Sequence, residues 1–356
     1  MYDLKTLGWN SHFEKEFEPL KDQGYSAARV ALEYQGLYRV FTESDELLAE
    51  VSGKVRYEAN ERADFPAVGD WVAITRIENE KKATIHQILP RTSKFSRKVA
   101  GETSQEQIVA TNVDTVFLVV GLDHNYNLRR IERYLVLAFE SGARPVIILS
   151  KADLSDTVEE RIPEVEAIAL GTAIHAISAK KEEGLEPLDQ YFGTGLTVAF
   201  LGSSGVGKST LINRLLKEER QKVQEVREDD SRGRHTTTHR ELIVLPRGGL
   251  LIDTPGMREL QLWDVSDGLT DSFTDIKELA AGCRFGDCAH TTEPGCAVKA
   301  AITDGTIQAN RLENYKKIQK ELDFLNTRQD TRAQLNKKAK DKKIHKALNR
   351  MKPRRG

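Results

Sequence analysis

The sequence predicts a multidomain α/β protein. A small N-terminal β-barrel of the oligonucleotide-binding (OB) type precedes a P-loop nucleotide-hydrolase domain built on a mostly parallel sheet, and a zinc-binding helical module follows. Three observations carry this expectation: short β-like runs between Tyr25 and Ile88, a phosphate-loop motif set between an apolar run and a helical pattern at residues 202–209, and a Cys/His cluster confined to residues 283–296. At 356 residues the chain is too long for one ordinary core, so two or three domains are expected.

Residues 1–24 read as an arm carrying a short helix, with Ser11 and Glu14 in capping-box spacing. Residues 25–100 read as the barrel and a basic linker. Strands are expected at 28–34, 37–41, 47–51, 71–77 and 83–88, where apolar and β-branched runs are broken by turn residues. Tyr34, Tyr38, Phe41, Tyr57 and Trp71 are candidates for stacking on bases, although aromatics of so small a barrel more often fill its core. The stretch 90–101, rich in Lys and Arg, reads as the linker leading out.

Residues 101–265 change to an α/β pattern. Strands at 115–120, 146–149, 173–177, 196–201, 241–245 and 250–252 alternate with helical stretches at 128–140 and 158–170, the pattern of a mostly parallel sheet covered on both faces. Gly202-Ser203-Ser204-Gly205-Val206-Gly207-Lys208-Ser209 fits G-x-x-x-x-G-K-[ST], and Leu211, Ile212, Leu215 and Leu216 continue it as an amphipathic helix from Thr210 onward. A phosphate chain needs backbone N–H donors close up, and Gly202, Gly205 and Gly207 permit that approach. Lys208 would reach the outer phosphates, Ser209 would hold Mg²⁺, and the helix N-terminus adds partial positive charge.

Asp253-Thr254-Pro255-Gly256 ends the last strand, where Asp253 would hold Mg²⁺ through water and the Gly256 amide would meet the γ-phosphate. Between the two motifs lies Gly233-Arg-His-Thr-Thr-Thr-His239, in which Thr237, ahead of Thr236 and Thr238, is the candidate to complete the magnesium shell. Guanine would be read by the Asp153 carboxylate of Ser150-Lys151-Ala152-Asp153, with Lys151 packed along the base plane. Ser178-Ala179-Lys180 would offer backbone N–H groups to guanine O6. Here base reading precedes phosphate binding, the reverse of the order in ordinary GTPases, so the Ras-like domain is expected to be circularly permuted. Met257, not a glutamine, follows Gly256 and cannot orient water, which leaves His235 as the catalytic candidate beside Lys208, with His239 behind it.

Residues 266–335 are expected to form the zinc-binding helical domain. Cys283, Cys288, His290 and Cys296 supply three thiolates and an imidazole, enough for one closed, structural zinc site per chain. A helix with Leu312, Tyr315, Ile318, Leu322 and Leu325 on one face follows. Residues 336–356 form a basic tail in which Asp341 is the only acid, although the net charge of the whole chain is −1. Such asymmetry suggests a polyanionic partner. No apolar stretch long enough to span a membrane and no signal-like N-terminus is present, which points to the cytoplasm, and a monomer is the expected state.

Together, the permuted order, Gly-Ser-Ser-Gly-Val-Gly-Lys-Ser, Gly-Arg-His-Thr-Thr-Thr, Asp-Thr-Pro-Gly, the N-terminal barrel and Cys-x₄-Cys-x-His-x₅-Cys resemble the RsgA (YjeQ/YloQ) family of small ribosomal subunit biogenesis GTPases, over almost the whole chain. The resemblance implies a bacterial cytoplasmic GTPase that binds the small ribosomal subunit late in maturation, contacts its rRNA and is stimulated by it. Ser150 is a departure, because the family's base-reading motif has Asn or Thr there, and Asn helps to brace the phosphate loop. Two other readings stay open on the residues alone. One is a binding module in which nucleotide serves only as a folding ligand; the other is a P-loop kinase or ATPase, against which Asp153 argues.

Overall fold

The computed structural model describes residues 2–98, 106–217, 240–246, 248–253 and 267–323. The chain divides into two compact units, residues 1–261 with 270–272, and residues 262–269 with 273–356.

In the first unit, α1 (Ser11–Lys21) precedes the barrel strands β1 (Ser26–Tyr34), β2 (Leu37–Phe41), β3 (Glu46–Val51), β4 (Trp71–Arg76) and β5 (Lys82–Ile88), with α2 (Gly53–Glu58) between β3 and β4. Neighbouring barrel strands run antiparallel except for β3 and β5, which pair in parallel, and β1 pairs with both β2 and β4. That pairing closes the five strands into an OB-type barrel and leaves no bare edge among them. Its core follows from period-2 alternation: in β3, Leu47, Ala49 and Val51 point inward while Glu46, Leu48 and Glu50 face out. Of the five barrel aromatics, Tyr38, Phe41 and Trp71 are buried, whereas Tyr34 and Tyr57 stay exposed.

The arm differs from the expected capping box. The α1 cap is Asn10, whose Oδ1 accepts the N–H groups of His12 and Phe13 at 3.0 and 3.3 Å; Glu14 instead accepts from the Trp9 indole. An extended Asn10 places its short amide over the first orphan donors, which Ser11, already inside the helix, cannot do. Helix α1 buries Phe13, Phe17 and Leu20, and the Trp9 ring meets Trp71 edge-on at 4.7 Å, so the arm covers one face of the barrel. The stretch expected as a basic linker contains a strand: β6 (Lys94–Lys98) pairs antiparallel with β7 (Glu106–Thr111). Phe95 on β6 and Ile108, Val109 and Ala110 on β7 are buried, and that packing overrides the basic composition.

The second part of this unit contains β8 (Thr115–Gly121), α3 (Leu128–Ser141), β9 (Arg144–Ser150), α4 (Val158–Glu166), β10 (Ala173–Ala176), β11 (Thr197–Leu201), α5 (Lys208–Leu216), β12 (Glu241–Val244) and β13 (Leu250–Asp253). The strand order is β10-β9-β8-β11-β13-β12, parallel throughout except for β12. Central β8 is buried at every residue, and Phe117 on it meets Phe200 and Tyr191 edge-on at 5.4 Å. Helix α4 stops before the expected residue 170, because after Pro163 the chain tightens into short turns, Ile168 N–H to Val165 O and Ala169 N–H to Glu166 O. A bridge between Leu32 and Glu241 joins β12 to β1, so sheet and barrel are continuous.

C-terminal to the sheet come α6 (Asp267–Ser272), α7 (Thr274–Ala281), α8 (Ala297–Thr303) and helical residues 309–323, with no strand among the described residues. Arg311, 5% exposed, forks onto Asp275 at 2.6 and 2.9 Å and lies 4.8 Å over the Phe273 ring, tying the 309–323 helix to α7. No helix among the described residues is long and apolar enough to cross a membrane.

Candidate nucleotide site and metal centre

Because β9, β10, β11 and β13 are parallel, their carboxyl ends share one edge of the sheet. Ser150 ends β9, Ser178 follows β10, Gly202 follows β11 and Asp253 ends β13, so four motifs scattered over a hundred residues of sequence converge there. The Ala152 N–H donates to the Ile177 carbonyl at 3.0 Å, which binds the two candidate base-reading loops to each other.

The phosphate loop, Gly202 to Ser209 with Thr210 behind it, folds as its glycines require. A Cβ on Gly202 would sit 2.4 Å from the Val119 carbonyl, and Gly207 has φ +95°, open to glycine without strain. Val206 is buried beneath the loop, whereas Ser204 and Ser209 are partly exposed. The Lys208 ammonium at the first residue of α5 donates to the carbonyls of Gly202 and Ser203 at 2.6 and 2.7 Å, so its charge is already stretched along the loop. Ser203 Oγ accepts from Arg130 of α3 at 3.1 Å.

Ser150 keeps a bracing role in spite of the missing Asn. Its hydroxyl donates to the Val206 carbonyl at 2.5 Å, linking the end of β9 to the middle of the phosphate loop. Lys151 adopts φ +60°, and its ammonium pairs with Asp123 at 2.6 Å. Burial raises the Asp123 carboxyl's affinity for its proton, but the Lys151 ammonium and the Asn125 N–H outweigh it and hold the pKa below the ordinary carboxylate value. Asp153 lies partly exposed in the turn that follows. Ser178 and Ala179 are buried and Lys180 is exposed.

Sequence reasoning missed Asp123, Arg130 and Arg214, the last of which donates from α5 to the Ala179 carbonyl. Asp123 was within reach of the argument that found Ser150 and Ser178, since it also follows the carboxyl end of a buried parallel strand; the two arginines sit on helices whose polar face carries no such signal. Thr237, Gly256, His235, His239, Met257 and the basic tail lie outside the described residues.

The Cys283, Cys288, His290 and Cys296 ligand atoms all lie within 4.8 Å of one another. His290 Nδ1 is 3.6 Å from Cys283 Sγ and 3.4 Å from Cys296 Sγ, and the two sulfurs are 3.9 Å apart. A zinc ion with bonds of about 2.3 Å to sulfur and 2.0–2.1 Å to nitrogen has tetrahedral edges of roughly 3.6–3.8 Å, so the separations among Cys283, His290 and Cys296 are close to those a bound metal would need, with Cys288 near enough to be the fourth ligand. His290 takes φ +55°, and Lys316 donates to its carbonyl at 2.7 Å.

A parallel sheet with a phosphate loop at its centre and base-reading loops before it in sequence defines a circularly permuted P-loop GTPase. The family model for RsgA GTPases matches residues 88–263, and that for 50S ribosome-binding GTPases matches residues 197–337. A small ribosomal subunit biogenesis GTPase RsgA of Opitutus terrae is 45% identical over 337 residues, 92% of each chain, and one of Syntrophotalea carbinolica is 42% identical over 350 residues, 96% of each. YjeQ from Thermotoga maritima is 30% identical with a TM-score of 0.63, over 84% of this chain and 98% of its own. YloQ, described as a circularly permuted GTPase, is 25% identical with a TM-score of 0.61, over 84% and 95%. The chain belongs to the RsgA GTPase family, and it is a GTP hydrolase.

Proposed function

We propose that this GTP hydrolase acts in late maturation of the small ribosomal subunit, binding the subunit and its rRNA and being stimulated by it. The observation that carries the proposal is likeness over nearly the whole chain, 45% identity across 92% of it, to a relative named a small ribosomal subunit biogenesis GTPase. Sedimentation with purified subunits tests it. The protein should travel with small subunits in a non-hydrolysable GTP analogue and leave them in GDP; travelling with large subunits alone, the alternative raised by the 50S match, would overturn the proposal.

Within this reading the chain is an N-terminal arm (1–24), barrel with linker (25–100), permuted GTPase domain (101–265), zinc domain (266–335) and RNA-binding basic tail (336–356), and it works as a cytoplasmic monomer. Lys208 and the loop amides hold the phosphates of GTP or GDP, Ser209 with Asp253 and Thr237 holds Mg²⁺, and the Gly256 amide meets the γ-phosphate. The ion's chemistry is to offset phosphate charge. Asp153 reads guanine, so Asp153→Asn should lower GTP affinity and raise affinity for xanthosine triphosphate, whose C2 carbonyl suits an amide donor; equal binding of ATP and GTP by the unaltered protein would sink this assignment.

His235 positions the attacking water when the protein is docked on rRNA. His235→Ala should therefore retain GTP binding and lose most subunit-stimulated turnover, and full stimulation in that variant would assign the water to a ribosomal group. The Cys₃His group holds one structural zinc. Elemental analysis of protein purified without chelator should find one zinc per chain, and none would refute the site.

A further inference from the structure

The helix that carries the phosphate-binding Lys208 at its first residue also reaches the loop at the other end of the nucleotide site. Arg214 of α5 donates from Nε to the Ala179 carbonyl at 3.2 Å and pairs through Nη1 with Glu182 at 2.9 Å. We propose that Arg214 is a positioning residue for guanine recognition, fixing the Ala179–Lys180 peptide so that its N–H faces guanine O6. The inference rests on the reading in which residues 178–180 meet O6.

The argument is one of peptide geometry. The Ala179 carbonyl and the Lys180 N–H belong to one planar trans unit, in which they point in opposite directions. Whatever holds the carbonyl on the α5 side therefore aims the N–H to the other side. The ends of the loop are already pinned, because Ser178 and Glu183 exchange backbone hydrogen bonds at 3.0 and 3.1 Å and Ser178 Oγ accepts the Lys181 N–H at 3.1 Å. Rotation of the peptide between those anchors is the freedom that Arg214 removes. The ion pair with Glu182 keeps the guanidinium over the loop, and with side-chain exposures of 46% and 61% it acts as a guide more than as a source of stability. Phosphate binding at the N-terminus of α5 and base reading at its sixth following residue are thus set by one rigid element.

The test compares GDP with 6-thioguanosine diphosphate, which keeps the donors that face Asp153 but replaces O6 by sulfur, a weak acceptor. Unaltered protein should bind GDP more tightly. Arg214→Gln should weaken GDP binding about fivefold, as loss of one charge-assisted hydrogen bond at a half-exposed site implies, while changing the thio-nucleotide by less than about twofold. Arg214→Lys, which keeps a cation opposite Glu182 but lacks Nε, should show the same narrowing and serves if the glutamine variant folds poorly. Equal weakening of both nucleotides in either variant would mean a merely structural role and would overturn the proposal. If unaltered protein binds the two nucleotides alike, the loop does not read O6, and the underlying assignment fails with it.

Discussion

Replacing Lys208 by Ala should lower kcat/KM for GTP on the order of 10³-fold. The ammonium is already held along the phosphate loop by the carbonyls of Gly202 and Ser203, so little reorganisation separates this arrangement from one in which it faces the charge that develops during phosphoryl transfer. Alanine removes the positive charge and leaves those two carbonyls without their donor, while the glycines that shape the backbone cradle stay in place. GDP binding should therefore weaken much less than turnover falls. Lys208→Arg should not restore activity, because a planar fork cannot sit where a compact ammonium bonds two adjacent carbonyls. Steady-state hydrolysis over GTP concentrations from well below KM to saturation, with thermal melting to verify the fold, is the measurement. A loss below about tenfold would mean that the backbone amides carry the phosphate charge by themselves.

The second large effect concerns Arg29, which is 2% exposed at the junction of arm, barrel and sheet. Its guanidinium donates to the carbonyls of Leu7 in the arm, Gly69 in the barrel at 3.3 Å and Asn112 ahead of β8 at 3.0 Å, and to Thr197 Oγ1 at the start of β11 at 2.9 Å. Burial pulls its pKa down to about 10, against the raising effect of Asp114 and Asp70, so it stays charged at neutral pH. Arg29→Met fills similar volume but orphans several buried acceptors and removes the charge that offsets burial of the Asp114 carboxylate, which should destabilise the first unit by about 3 kcal/mol or more. Denaturant unfolding should show a lower midpoint, and the arm should become the first site of proteolysis. A midpoint unchanged within error would show that Trp9, Phe13 and Phe17 hold the arm without the arginine. Since Thr197 begins the strand that delivers Gly202, nucleotide affinity should fall along with stability.

Much of the fold could be read before any coordinates. Barrel strands β1 to β5 and sheet strands β8 to β13 fall within two residues of their expected limits, because each is bounded by turn residues and its side chains alternate or are wholly apolar. The elements that escaped are those whose stability comes from elsewhere. β7 begins Glu-Gln and looks polar, yet it is a strand because Ile108, Val109 and Ala110 find a buried partner surface. The helix cap moved from Ser11 to Asn10, since both residue types cap well and only backbone angles choose between them.

The sequence by itself determined the phosphate loop, the permuted order of the motifs and the Cys₃His cluster, because each is a local requirement met by neighbouring residues: backbone freedom at three closely spaced glycines, and four ligands within fourteen residues. Only the tertiary structure decided how those pieces are held. Ser150 reaches Val206 across 56 residues and Arg29 reaches Thr197 across 168, while Lys151 pairs with Asp123 and Arg214 with the Ala179 carbonyl. Such contacts depend on which strand ends lie side by side, and that follows from sheet order and packing of the whole core, which no local pattern encodes.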